Sequence, residues 1–206
     1  MSDSIHIRAL TSLDDFKQCV RLQKQTWGED CSEIVPVSLL RSTPRMGGVI
    51  AGAFDDAGRM VGMVFGLTGL SDGTLVHWSD MLAVRPGLRD RGIGERLKRY
   101  QRDVLLPTGV RRIDWTFDPL ESRNAYLNFR RLGVIAAEYL VDYYGATDSP
   151  LHEGLPTDRV VANWHIRSRR VTERLGRRPS GADTPPLEAA AVALDARREA
   201  PWPRPL

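Results

Sequence analysis

Cysteine and histidine are scarce in this chain: 206 residues include two cysteines and four histidines. Cys19 and Cys31 lack the close spacing of a zinc or redox pair and are too few for a disulfide-stapled fold. They read as reduced packing residues of a cytoplasmic protein. His152 and Glu153 stand isolated in a Gly/Pro loop, so no metal site is expected. No apolar run approaches the length of a membrane span, and MSDSIHIRAL has no apolar stretch behind a basic start. Both absences argue against a membrane protein and against secretion. No Ser/His/Asp set lies in a strained-turn context. The formal net charge is only +3, so the placement of charge says more than its total.

What is present suits one soluble domain with a tail: 42% hydrophobic and 27% charged residues. Residues 5–9 alternate weakly as a first strand. Thr11 or Ser12 then caps a helix whose first turn holds Asp14 and Asp15 and whose apolar stripe is Leu13, Phe16, Val20 and Trp27. Gly28 ends it, Pro36 opens a short helix, and Pro44 is expected to stop that one. Residues 48–54 and 60–67 read as strands joined at Asp55-Asp56-Ala57-Gly58, a hairpin. A long strand over 75–84, a helix over 95–106, a strand over 113–117, a helix over 122–132 closed by Gly133, and strands within 134–144 and 160–166 follow. The order predicts an α/β fold, a mixed sheet with helices on both faces, over residues 1–176. Residues 177–206 form a Pro/Ala/Arg-rich extension with one helix expected over 187–198.

The stretch VRPGLRDRGIGERL, Val84–Leu97, joins the long strand to the third helix. Gly87 and Gly92 have the Walker spacing, but Ile93 and Gly94 stand where lysine and hydroxyl belong, so a nucleotide triphosphatase is disfavoured. Leu97 stands where a dinucleotide fingerprint needs its third glycine. What remains is a loop whose backbone N–H groups converge on an anion at a helix N-terminus. Arg85, Arg89, Arg91, Arg96, Lys98, Arg99 and Arg102 add positive charge that suits a diphosphate. The alternative is a tight turn beside a solvated basic helix face; the strand-loop-helix context favours the anion loop.

Arg89-Asp90-Arg91-Gly92-Ile93-Gly94 resembles the Arg/Gln-x-x-Gly-x-Gly/Ala motif of the GNAT N-acetyltransferases, and ESRNAYLNFRRLGV, Glu121–Val134, resembles their next helix and closing Gly-Phe, with Val134 in place of Phe. The segments WTFDPLESRNA and LPTDR resemble a bacterial branch of that superfamily. The resemblance spans residues 5–166 and is concentrated in 80–134. It implies a mostly antiparallel sheet of six or seven strands, splayed at the cofactor site. It implies acetyl-CoA as cosubstrate, with Leu82, Ala83 and Val84 pairing with the pantetheine arm, Arg89, Asp90, Arg91, Gly92, Ile93, Gly94 and Glu95 holding the pyrophosphate, and Asn124 or Arg123 touching the coenzyme.

The implied activity is acetyl transfer to a primary amine of a small molecule or peptide by direct attack. The family's usual tyrosine acid stands four residues before the closing glycine, where this chain has Phe129. Tyr126 is taken as the acid in its place, with Tyr139, Tyr143 and Tyr144 as further candidates; the alternative is a non-catalytic acyl-CoA-binding module. In strand alternation Trp78, Asp80 and Leu82 share one face, and His77, Ser79, Met81 and Ala83 the other. In members of the resembled family that use a carboxylate on this strand, it projects from the face that holds Trp78 and Asp80, so the resemblance implies Asp80 as base or amine-binding residue, and His77 if the face slips by one residue. Asp114, Thr116 and Asp118 alternate beside it, with Asp118-Pro119 reading first as a turn and Ser122 as a cap. The resemblance allows a homodimer. Seven arginines lie within Arg159–Arg178, but Trp164 is the main aromatic among them, which argues against nucleic acid.

Overall fold

Ser12 starts the first helix by a reciprocal capping box. Its side chain accepts from Asp15 N–H at 3.0 Å while the Asp15 carboxylate accepts from the backbone N–H groups of Ser12 and Thr11. Arg8 on the preceding strand grips the same carboxylate with both terminal nitrogens at 2.8 Å and lies over the Phe54 ring. A single buried aspartate therefore joins strand, cap and helix.

The computed structural model describes residues 4–29, 31–145 and 156–176. The 177–206 extension, its expected helix, His152 and Glu153 lie outside them. In chain order the elements are β1 (His6–Ala9), α1 (Leu13–Trp27), α2 (Val37–Ser42), β2 (Val49–Phe54), β3 (Met60–Ser71), β4 (Thr74–Val84), α3 (Ile93–Leu105), β5 (Arg112–Phe117), α4 (Ser122–Ala125), β6 (Ile135–Leu140), β7 (Arg159–His165) and α5 (Arg169–Gly176). α4 runs on into a π-helix over Tyr126–Leu132.

The sheet has seven strands in the order β1-β2-β3-β4-β5-β7-β6, and β4–β5 is its one parallel pairing. That pairing covers only Val76–Trp78 against Arg112–Asp114, yet β4 runs on to Val84 and β5 to Phe117. The two strands thus part toward their C-terminal ends, and a cleft opens between them. Strands that diverge leave backbone donors and acceptors unpaired, which is why such a gap suits an extended ligand.

Apolar residues are buried on both faces of this sheet. Phe16, Cys19 and Leu22 of α1 and Leu40 of α2 pack on Ile50, Met60, Met63 and Phe65. On the other face Ile93 and Leu97 of α3 pack on Ala51, Ala53, Val61 and Val64. A third cluster joins Leu105, Ile113, Trp115, Leu132, Trp164 and Val171, tying α3, the π-helix and α5 to β5 and β7. Leu13 is 52% exposed and not part of the α1 stripe; Cys19 and Leu22 take that role. Val104 faces solvent as well, and the second helix ends at Ser42, with Pro44 in the 3-10 turn that follows. Among the described residues no helix is long and apolar enough to cross a membrane.

Replacing Ser12 by Ala should cost about 1 kcal/mol in chemical denaturation. Hydrogen bonds from Arg8, aided by the backbone donors of Thr11 and Ser12, hold the Asp15 pKa far below the usual carboxylate range. A depressed carboxylate pKa stabilises the fold fully above the unfolded value of about 3.9 and is lost as pH falls below it. Wild type should therefore lose stability more steeply than Asp15→Asn on acidification below that value.

Candidate active site

β4 carries one residue too many opposite Gly66. Phe65 pairs with Met81 and Leu67 with Trp78, so Ser79 and Asp80 together face Gly66. A bulge of this kind reverses the in-and-out alternation beyond it. Before the bulge, His77 and Ser79 face α3: Gln101 Nε2 lies 3.0 Å from His77 Nε2, and Lys98 Nζ donates to Ser79 Oγ at 2.7 Å. After it, Leu82 and Val84 pack with Ile93 and Leu97 of α3, whereas Met81 and Ala83 turn to the α1 side. The alternation expected from sequence holds as far as Asp80 and is corrected from Met81 on, so Leu82 does not share the Asp80 face.

The polar side chains under the bulge are fully buried. Thr68 Oγ1 donates to Gly47 O, so His77 Nδ1–H donates to Thr68, and the other ring nitrogen accepts from Gln101. Burial, with a smaller contribution from Lys98, lowers the His77 pKa to about 3. His77 is a neutral packing residue turned toward the helix, not a base in the cleft. Lys98 lies 3.6 Å from the centre of the Trp115 ring, and burial drives its pKa well down.

The loop from β4 to α3 is shaped by two left-handed residues, Asp90 at φ 63° and Gly92 at φ 74°. Gly92 is the N-cap of α3 and has no side chain to offer, so the first-turn N–H groups are left uncapped by side chains. A Cβ on Gly94 would have only ordinary contact, nearest Leu82 at 3.7 Å. The basic residues are less available than their spacing implies. Arg85 bonds Met60 O, Arg96 bonds Ile5 O, and Arg102 bonds Ile166 O. Lys98 is buried, and Glu95 turns inward between Arg99 at 2.8 Å and Arg131 at 2.6 Å. Arg89 Nε donates to Val84 O, Arg91 is exposed, and Asp90 lies 3.6 Å from exposed Arg123. Asn124 is exposed in the first turn of α4.

The π-helix alters the count toward the expected acid. Gly133 N–H bonds Asn128 O, five residues back, where an α-helix would use four. Phe129 packs edge-to-face on Phe117 with ring centres 5.6 Å apart, while Asn128 is buried and Tyr126 is 56% exposed. Ser122 is not a cap; Glu121 holds that position and makes no side-chain capping bond.

Asp80 lies within electrostatic reach of two groups from other parts of the chain, Glu33 and Tyr143. It is open to solvent but closely flanked by protein. Partial loss of hydration raises its pKa, a hydrogen bond from Trp78 opposes this, and the Glu33 carboxylate adds to it. Tyr143 is also raised, first by burial, then by Tyr144, Asp80 and Glu33. Glu33 stands on the α1–α2 connection, which buried Gln23 of α1 pins by bonding both N and O of Val35. Tyr143 and Tyr144 stack edge-to-face at 4.8 Å and are anchored by buried Thr157, whose carbonyl and hydroxyl take their backbone N–H groups. Tyr139 is held elsewhere, by Asp158. Asp114 is committed to Arg112 and Asn163, and Asp118 closes its own turn on Leu120 N–H. Gln23, Glu33, Asn128 and Thr157 were not foreseen. Gln23 is a polar residue amid a helical apolar stripe, which is a usable signal; the others have none. Among the described residues no group of metal-binding side chains is present.

No family model matches the sequence, and no curated protein matches it. Solved structures do. The NatC complex bound to Gag peptide and CoA includes a chain similar at TM-score 0.63 and 17% identity, covering 78% of this chain and 98% of that one. The ribosomal-protein-S18-alanine N-acetyltransferase of Escherichia coli is similar at TM-score 0.60 and 17% identity, covering 79% and 94%. A GNAT-family acetyltransferase of Streptococcus pneumoniae gives TM-score 0.60 and 16% identity, covering 78% and 98%. The chain therefore has the GNAT acetyltransferase fold.

A Cβ on Gly66 would fall 2.4 Å from His77 Nε2 and 2.5 Å from Trp78 O. Gly66→Ala should lower stability by about 1–3 kcal/mol in chemical denaturation, since overpacking a buried site costs that much.

Proposed function

We propose that this protein is an N-acetyltransferase that moves an acetyl group from acetyl-CoA to a primary amine by direct attack. The observation that carries the reading is the uncapped N-terminus of α3 under the Gly92–Gly94 loop, beside the gap where β4 and β5 part. Those free N–H groups and the left-handed turn suit a pyrophosphate. Arg89 and Arg91 add charge, and Arg123 and Asn124 stand across the loop at the start of α4. The Glu95 contribution is its backbone N–H. The unpaired edge of β4 from Met81 to Val84, including Leu82 and Ala83, suits the pantetheine amides. Bound acetyl-CoA would supply the activated thioester.

Asp80 takes the proton from the incoming ammonium, and its raised pKa makes it a better base than an ordinary carboxylate. The acceptor amine, on a small molecule or peptide, enters between the α1–α2 connection and Tyr143-Tyr144. Tyr126 has the only hydroxyl on the π-helical segment and supplies a proton to the departing sulfur.

A thermal melt with acetyl-CoA, against ATP and NAD, tests the cofactor. Saturation at 100 times the dissociation constant should add about 2.7 kcal/mol of stability. Gly92→Trp, placed at positive φ, should lose the shift; its absence from wild type at millimolar ligand would refute the proposal. A shift without turnover on an amine panel would leave an acyl-CoA-binding module.

Because Asp80 must be ionised to act, kcat/KM should fall as pH drops through its raised pKa. Asp80→Asn should remove most activity and leave the melt shift intact. Comparing Tyr126→Phe with Tyr143→Phe assigns the acid: the first should lower kcat, the second should act mainly on KM for the amine.

A further inference from the structure

At the end of the sheet away from the β4–β5 cleft, the start of β5 and the end of β7 flank an open surface cavity, whose Arg111, His165 and Arg167 side chains are exposed. Its volume is about 500 Å³, and Gly109, Arg111, His165, Arg167 and Ser168 line it. Arg112 and His165 are paired across β5 and β7, and Ile166 N–H bonds Arg111 O, so the two segments are held together. Gly109, at φ 88°, keeps the entrance free of a side chain.

The lining offers donors and no carboxylate. Arg111 and His165 make no side-chain hydrogen bond or ion pair with the described residues. Arg167 uses one terminal nitrogen on Leu106 O and keeps its other donors. Ser168 Oγ accepts from Val171 N–H, so its own proton is available. The nearby carboxylates are already paired: Asp114 with Arg112, Asp103 with Arg102, and Glu173 with Arg169. Two exposed guanidinium charges thus remain uncompensated side by side at this open hollow. Planar guanidinium donors match the oxygens of a phosphate in paired fashion.

We propose that this cavity binds the phosphate group of a small phosphorylated molecule, at a site separate from the α3 loop. Its volume falls within the range of about 300–1,000 Å³ typical of ligand pockets and exceeds what one ion fills. No aromatic or apolar side chain lines it, so recognition rests on the phosphate and not on a base or chain. An extended nucleic-acid track is disfavoured because neighbouring arginines are engaged. Arg112 pairs with Asp114, Arg169 with Glu173, and Arg170 bonds Gly133 O.

The test is histidine NMR on the full chain, with the His165 ring signal assigned through His165→Gln. Inorganic phosphate and pyrophosphate are titrated, then a short single-stranded RNA. Millimolar phosphate or pyrophosphate should move the His165 signal in wild type. The movement should persist in Gly92→Trp, which alters the α3 loop, and weaken at least tenfold in apparent affinity in Arg111→Ala, a variant that removes no side-chain hydrogen bond or ion pair with the described residues. Absence of movement in wild type, persistence in Arg111→Ala at wild-type affinity, or loss in Gly92→Trp would each overturn the proposal. RNA binding tighter than pyrophosphate, with steep salt dependence, would overturn the small-molecule assignment.

Discussion

The hydrogen bond from Lys98 to Ser79 is the contact on which the site geometry depends. It joins the helix that follows the glycine loop to the bulge that turns Asp80 toward the cleft. Gln101 and His77 repeat the link one turn further along α3. Buried polar groups are costly when unpaired, so this short ladder resists slippage of β4 past α3. Gly66 makes it geometrically feasible, because any side chain there would occupy the place of the His77 ring. Through these contacts the anion loop and the carboxylate, which lie at opposite ends of β4's inner half, are parts of one rigid unit.

Charge is divided between regions of this unit. Around Asp80 the nearby groups are Glu33 and Tyr143, and burial with these carboxylates raises the Tyr143 pKa and keeps its phenol protonated. At the α3 N-terminus stand the positive end of the helix, exposed Arg91, and Arg89, whose Nε bonds Val84 O. Most other arginines are spent on backbone carbonyls or on inward-turned carboxylates such as Glu95. The carboxylates Asp80 and Glu33 and the arginines around the glycine loop thus occupy different regions of a chain whose net charge is only +3.

Element order was largely legible from residues close together in the chain. Ser12 with Asp15, the turn at Asp55–Gly58 and the glycines at 28, 92 and 133 act over a few residues, and local preference decided them. The glycine loop was legible for the same reason, and its backbone role does not depend on distant partners. The faces of β4 were only half legible. Alternation predicts Trp78 and Asp80 together, but a bulge opposite Gly66 leaves no trace in β4 itself. The π turn after Ala125 was equally hidden, since YLNFRRL is an ordinary helical sequence whose extra residue is accommodated by packing Phe129 on Phe117.

By itself the sequence determined the strands and helices, the Ser12 cap and the glycine loop, because each rests on short-range sterics and hydrogen bonding. Tertiary structure alone decided which charges remain free, which face Asp80 occupies, and that Glu33 and Tyr143 meet it. Those outcomes depend on groups separated by scores of residues. Ionisation and exposure are set by the neighbours a side chain acquires on folding, and no local pattern encodes those neighbours.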